Sequence, residues 1–267
     1  MNFVIAFQAE AKPLIDHLDL KKVEGAQLPC FQSDEHNLVI CGMGKAWARK
    51  GAEYLLAQQE EKNLPWLNLG IAGHGSLDLG TAFLAGKIED DESKEVFFPP
   101  LIFRQDLPVS PLISCKEPSS KYLPEYGYDM EAHAFYKALA GHSLRELIQV
   151  VKIVSDNPCS PLEQVNPQMA STWIEQNIES VLQLVREMEK CREEIRTSPE
   201  VERLHQELLS FHRFSVTRRH QLHDLVRHLH AHKLDPGEMI ELVRNAKGPA
   251  DAISSTELWL SPQRRLS

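Results

Sequence analysis

The chain has 267 residues, 42% hydrophobic and 25% charged. That is the balance of an ordinary globular protein, which excludes a disordered chain and allows one large domain or one domain with an appendage. With 38 acidic against 29 basic side chains the formal charge is −9, so bulk attraction to nucleic acid or to an anionic membrane is not expected.

Residues 3–7 (Phe-Val-Ile-Ala-Phe) form an apolar run without a basic flank, broken at Gln8 and Glu10. It reads as a first strand rather than a secretory signal, which points to the cytoplasm. No run approaches the ~18 apolar residues of a membrane span. Residues 38–41, 66–69, 83–88 and 150–154 read as further strands, nearly continuous in apolar character as strands buried on both faces are. Residues 47–59, 131–139 and 169–189 read as helices. Strand and helix in alternation predict an α/β domain around a central sheet. The stretch from Pro99 to Pro118 is punctuated by proline and takes no assignment.

The composition then shifts. Residues 192–267 carry 12 Lys/Arg against 11 Asp/Glu, and seven of the twelve histidines lie between His205 and His232. The shift predicts a boundary near Arg196-Thr197-Ser198-Pro199, giving one domain over 1–191 and a helical extension over 192–267. Residues 199–211, 217–232 and 237–247 have apolar residues at helical spacing, with Thr217 as an N-cap and Asp235-Pro236-Gly237 as a turn. Leu204, Leu208, Leu222, Leu225 and Leu229 form apolar stripes that need burial, against a second copy of the chain, a protein partner or the parent domain.

Arg213, Arg218, Arg219, Arg227 and Lys233, with His212, His220, His223, His228, His230 and His232, make this region locally basic. The pairs His220/His223 and His228/His232 have a spacing that can hold a metal. No cysteine and few acidic residues accompany them, so no metal is assigned, and a solvated or partner-facing helix is the plain reading. Base-reading motifs are absent, which argues against nucleic acid as a partner. The five cysteines (Cys30, Cys41, Cys115, Cys159, Cys191) are scattered without a Cys-x-x-Cys, and read as buried reduced thiols.

Four features fall at strand ends, where ligands bind in open α/β sheets. Glu10 follows the first strand; it could orient a water, or it could be a first-turn glutamate favoured by the helix dipole. Gly42-Met43-Gly44-Lys45 and Gly70-Ile71-Ala72-Gly73-His74-Gly75 follow the second and third strands. Such glycines let backbone approach a ligand, or simply make tight turns; neither stretch is a phosphate-loop or dinucleotide fingerprint. Asp129-Met130-Glu131-Ala132 opens a helix, where a glutamate serves the dipole or accepts both hydroxyls of a sugar diol. Ser155-Asp156 ends the strand over 150–154; Asp156 reads equally as a proton donor in the ligand crevice or as a cap.

In this order the features resemble the nucleoside phosphorylase superfamily, nearest its methylthioadenosine/S-adenosylhomocysteine nucleosidase branch. The stretches that carry the likeness are Val4-Ile5-Ala6-Phe7-Gln8-Ala9-Glu10-Ala11, Val39-Ile40-Cys41-Gly42-Met43-Gly44-Lys45, Asn68-Leu69-Gly70-Ile71-Ala72-Gly73, Tyr128-Asp129-Met130-Glu131-Ala132 and Val151-Lys152-Ile153-Val154-Ser155-Asp156, with residues 169–188 as a closing helix. The likeness covers residues 1–190. It implies a three-layer domain with a mixed central sheet, a small-molecule nucleoside as ligand, a homo-oligomeric assembly and no cofactor. Asp156 would protonate the leaving purine, Glu10 would orient the attacking water, Glu131 would hold the ribose hydroxyls and Met130 would pack beneath the sugar. Gly44, Ile71, Ala72 and Gly73 would complete the substrate site.

The expected activity is cleavage of a purine-type N-glycosidic bond, by water ahead of phosphate. The alternative is a catalytically weak nucleoside sensor or scaffold that acts through its tail. Departures from the resemblance bear on both. Ile71 stands where a small hydroxyl residue is usual, only Asn68 and Lys45 stand where phosphate-gripping arginines would be, and the segment from Ile88 to Tyr128 is short.

Overall fold

The computed structural model describes residues 1–59, 63–119, 121–195, 199–231 and 234–260. The chain divides into two compact units, Met1–Glu194 and Ile195–Ser267. The stretch 196–198, on which the predicted boundary falls, and His232 and Lys233 lie outside the described residues.

The first unit is built on β1 (Asn2–Ile5), β4 (Asn37–Ile40), β5 (Trp66–His74) and β10 (Ile148–Asp156), four parallel strands in the order β4-β1-β5-β10. These are the apolar runs that the sequence marks as strands. Side chains alternate across the pleat. Phe3, Ile5, Leu67, Leu69, Val151 and Ile153 enter one core, while Val4, Trp66, Val150 and Val154 enter the other. The first core is covered by α1 (Gln8–His17), α4 (Pro167–Gln176) and α5 (Ile178–Ile195), the second by α2 (Lys45–Gln58) and α3 (Ala132–Leu139). The result is three layers, helices on both faces of a mixed sheet.

Antiparallel additions complete the sheet. On one side β2 (Lys21–Lys22) and β3 (Cys30–Gln32) extend β4. On the other, β6 (Ala82–Asp90) runs antiparallel to β10, and the hairpin partner β7 (Val96–Phe97) pairs with β6. The unassigned proline-rich stretch contains β8 (Val109–Ser114), which is parallel to both β6 and β9 (Gly127–Asp129); β9 returns antiparallel onto β5. Strands β10, β6, β8, β9 and β5 therefore close into a ring.

Three local expectations need correction. The single closing helix is two, broken at Asn177, whose side-chain amide donates to the carbonyls of Gly80 and Trp173, both at 2.8 Å. Asp129 ends β9 instead of opening a helix; α3 starts only at Ala132, whose N–H donates to the Asp129 side chain at 2.8 Å. Of the cysteines only Cys30 and Cys41 are buried; Cys115 and Cys191 are half-buried and Cys159 is exposed.

The second unit consists, among the described residues, of α6 (Pro199–Leu209), α7 (Val216–Ala231), α8 (Pro236–Asn245) and α9 (Pro249–Leu260). Helix α7 begins before the predicted cap Thr217; Ser215 takes that position, its carbonyl accepting from Arg219 N at 2.9 Å. Leu208, Leu222, Leu225 and Leu229 bury one another with Met239, Val243 and Ile253. The apolar stripes are thus covered inside the unit itself. Among the described residues, no helix is long and apolar enough to cross a membrane.

Candidate active site

The site lies at the carboxyl ends of β1, β5 and β10, where parallel strands leave their last peptide groups and following loops facing a common crevice. Glu10 occupies the first turn of α1. Its Oε2 accepts from the Phe7 N–H at 2.9 Å, which is the helix-capping reading, and its Oε1 accepts from the Ile71 N–H at 2.9 Å. The side chain thus serves the start of α1 and ties that helix to β5. The side chain is 2% exposed, and burial raises its pKa to about 7, against the opposing pull of the Ile71 N–H and Lys152.

Glu131 stands at the N-cap position of α3. Its Oε1 accepts from the Gly44 N–H at 2.7 Å and its Oε2 from the Met130 N–H at 3.3 Å. Gly44 sits at φ +99, a conformation open to glycine and strained for other residues, and in it the turn after β4 aims its amide at this carboxylate. Burial pushes the Glu131 carboxyl up, with Lys152 opposing and Asp129 reinforcing.

Lys152 is one of two residues at the site that sequence reasoning missed. It sits in the middle of β10, 1% exposed, with Nζ 2.9 Å from Asp129 Oδ2 and 3.8 Å from Glu131 Oε2. Burial alone would drive its proton off; Asp129, Glu131 and Glu10 outweigh that and hold it above the ordinary lysine range. The signal was present: a lone lysine among Val150, Val151, Ile153 and Val154 is a charge in a strand buried on both faces, and such a charge needs partners.

Asp156 ends β10. Its Oδ1 accepts from Ser155 Oγ at 2.5 Å and its Oδ2 from the Tyr122 hydroxyl. Tyr122 was not singled out by sequence; it arrives on the segment before β9, with its ring 5.3 Å from that of Tyr128. The glycine run after β5 now has a reason. A Cβ at Gly70 would lie 3.1 Å from Glu10 Oε1, one at Gly73 would lie 2.6 Å from both Asp156 Oδ2 and Tyr122 Cε1, and one at Gly75 would lie 2.0 Å from the Leu123 carbonyl oxygen. Only a backbone without side chains lets the carboxylates and the tyrosine segment close on β5.

Glu10, Glu131, Asp156 and Tyr122 line a cleft of about 110 Å³, bounded also by Phe7, Met43 and the predicted Met130, Ile71, Ala72 and Gly73. Gly44 reaches the site through its amide to Glu131. An apolar groove of about 500 Å³ continues from the Glu10 side, sharing Phe7, Met43, Ile71 and Leu162 and extending past Val165 to Ala170. The two side chains considered for phosphate lie elsewhere. Lys45 Nζ is 2.5 Å from Asp90 Oδ1, bonded to Asp91 and 3.4 Å from Glu92. The Asn68 amide donates to the Val4 carbonyl at 2.8 Å inside the core.

No protein-family model matches the sequence, and no curated protein sequence matches it. Solved structures do match. A 5′-methylthioadenosine/S-adenosylhomocysteine nucleosidase from Colwellia psychrerythraea, in complex with adenine, has a TM-score of 0.55 at 17% identity, covering 70% of this chain and 93% of its own. The enzyme of the same name from Neisseria meningitidis, in complex with methylthio-immucillin-A, has 0.54 at 15% identity, covering 68% and 97%. A putative one from Francisella philomiragia has 0.55 at 12%, covering 69% and 97%. Nearly the whole of each relative is matched by about two thirds of this chain. Over its first unit the chain therefore has the three-layer α/β fold of these nucleosidases, and it carries a helical unit besides.

Proposed function

We propose that the chain hydrolyses the N-glycosidic bond of a purine-type nucleoside. The observation that carries the reading is the convergence of Glu10, Glu131 and Asp156 on one cleft at the strand ends of this fold. Cleaving that bond needs a proton for the departing base, a nucleophile for the sugar carbon and a negative environment for the developing oxocarbenium ion. Asp156 supplies the first from the end of β10. Glu10, with a pKa near 7, is matched to taking a proton from water near neutral pH. Glu131, held by the Gly44 and Met130 amides, presents its remaining lone pairs to the sugar hydroxyls over Met130. Lys152 does not line the cleft; it fixes Glu131 and Asp129 from below.

Water is favoured over phosphate because no Lys or Arg lines the cleft among the described residues. A phosphate dianion would meet carboxylates there without a compensating cation. The groove next to Glu10 is apolar, which suits an apolar 5′ substituent on the sugar. Tyr122 holds the Asp156 oxygen that a purine would need, so ligand entry requires the hydroxyl to let go.

The test is a panel of purine nucleosides and 5′-thio derivatives, with and without phosphate, followed by release of free base. Base release should be independent of phosphate, and Asp156→Asn should lower turnover by roughly 10²–10⁴-fold, the range of general acid catalysis, while the nucleoside still binds. Release of a sugar 1-phosphate only when phosphate is present would overturn hydrolysis. A folded Asp156→Asn protein with unchanged turnover would overturn the assignment of the acid.

A further inference from the structure

The histidine-rich second unit brings together a group that helix spacing alone does not. Within α7 the sequence pairs His220 with His223; the fold instead sets His223 against His205 of α6, their rings 5.0 Å apart and inclined at 70°. Glu202 lies one turn before His205 on the same face of α6. The ligating atoms of Glu202, His205 and His223 all fall within 4.8 Å of one another. Two imidazoles and a carboxylate are the donor set of a borderline divalent transition metal rather than of calcium or magnesium, which take oxygen ligands.

We propose that Glu202, His205 and His223 form a zinc-type metal site that ties α6 to α7. A second contact supports it. His205 is buried, and its Nε2 lies 3.2 Å from the Arg219 carbonyl oxygen. A ring that donates Nε2–H to a backbone carbonyl keeps its lone pair on Nδ1, and this is the outer contact that orients metal-binding histidines. Contraction to ligand distances of about 2.0–2.2 Å involves torsions of the exposed Glu202 and half-buried His223 side chains. The fourth position is left to water. A helical unit of this size has a small core, and small cores gain most from a cross-link. The proposal stands apart from the nucleosidase reading.

The experiment uses the full chain, stripped of metal with a chelator and titrated calorimetrically with zinc chloride, with magnesium chloride as the control. One equivalent of zinc should bind and raise the melting temperature, magnesium should do neither, and cobalt(II) should give the visible absorption of a four-coordinate ion. His223→Gln and Glu202→Gln, with helicity checked by circular dichroism, should each weaken zinc binding by at least about 10–100-fold, the loss seen when even an outer partner of a ligand is removed. His230→Gln, exposed and outside the cluster, should bind as the wild type does. Zinc affinity unchanged in both His223→Gln and Glu202→Gln would assign any binding to scattered surface histidines and overturn the proposal, as would a wild type that binds no stoichiometric zinc.

Discussion

Lys152 and Lys45 anchor two charged regions of the same unit, and each meets several carboxylates. Lys152 is 1% exposed and faces Asp129 and Glu131 inside the sheet, while the Lys45 side chain is 20% exposed and faces Asp90, Asp91 and Glu92 at the rim. Both ammonium groups are held above their ordinary range, in each case because the carboxylates outweigh burial. The number of partners therefore does not distinguish the regions. What differs is how many partners stand in solvent: Asp91 and Glu92 do, with only Asp90 buried, whereas Asp129, Glu131 and Glu10 are all buried. The inner cluster is the one on which the fold depends.

The largest effect should come from Lys152→Met, which keeps the stem and removes the charge. Removing one member of a buried ion cluster costs about 3–5 kcal/mol, so the denaturation midpoint should fall steeply. A loss under ~1 kcal/mol would mean that the three carboxylates do not need the ammonium.

A second, comparable effect is a pH dependence set by Glu10. Its carboxyl moves from 4.5 to about 7 on folding, so between those pH values the unfolded chain ionises Glu10 before the folded one does. The folded state then binds more protons, and stability falls as pH rises across this window, levelling off above pH 7. At about 1.4 kcal/mol per unit the total is on the order of 3 kcal/mol. Comparing wild type with Glu10→Gln by urea denaturation from pH 5 to 8 isolates the term. The variant should lose less stability over that range, and parallel curves would contradict the assignment.

The smallest effect belongs to Lys45→Met. Asp91 and Glu92 remain partly in solvent and Ser93 still donates to the buried Asp90, so the loss should stay under about 3 kcal/mol, the cost of one under-satisfied buried group. A cost equal to that of Lys152→Met would erase the distinction between rim and interior.

Much of the first unit was legible. The four parallel strands are legible because continuous apolar runs such as Val150 to Val154 have few other uses; Glu10 and Asp156 stand out because they follow such runs, and Glu131 because its tetrad reads as a helix start. Residues defined by partners distant in sequence were not. Tyr122 reaches Asp156 across 34 positions, and nothing in its neighbourhood marks that contact. The break at Asn177 depends on a bond to Gly80, 97 positions away, while the local pattern stays helical across it. The same holds in the second unit, where Leu208 and Leu222 read as stripes awaiting a partner because their partners, Met239 and Val243, lie on a helix the pattern could not place against them.

Among the described residues, the ring closed by β10, β6, β8, β9 and β5 leaves every strand but two with neighbours on both sides. The exceptions, β2 and β7, are each two residues long, and β2 consists of exposed Lys21 and Lys22. An unpaired backbone edge is the template on which sheets recruit further chains, and short, lysine-bearing edges are poor templates. For so large a sheet this chain thus presents almost no adhesive border. Opening the ring would bare the longer edges of β6 and β10, and a variant that does so should form fibres more readily than the intact chain.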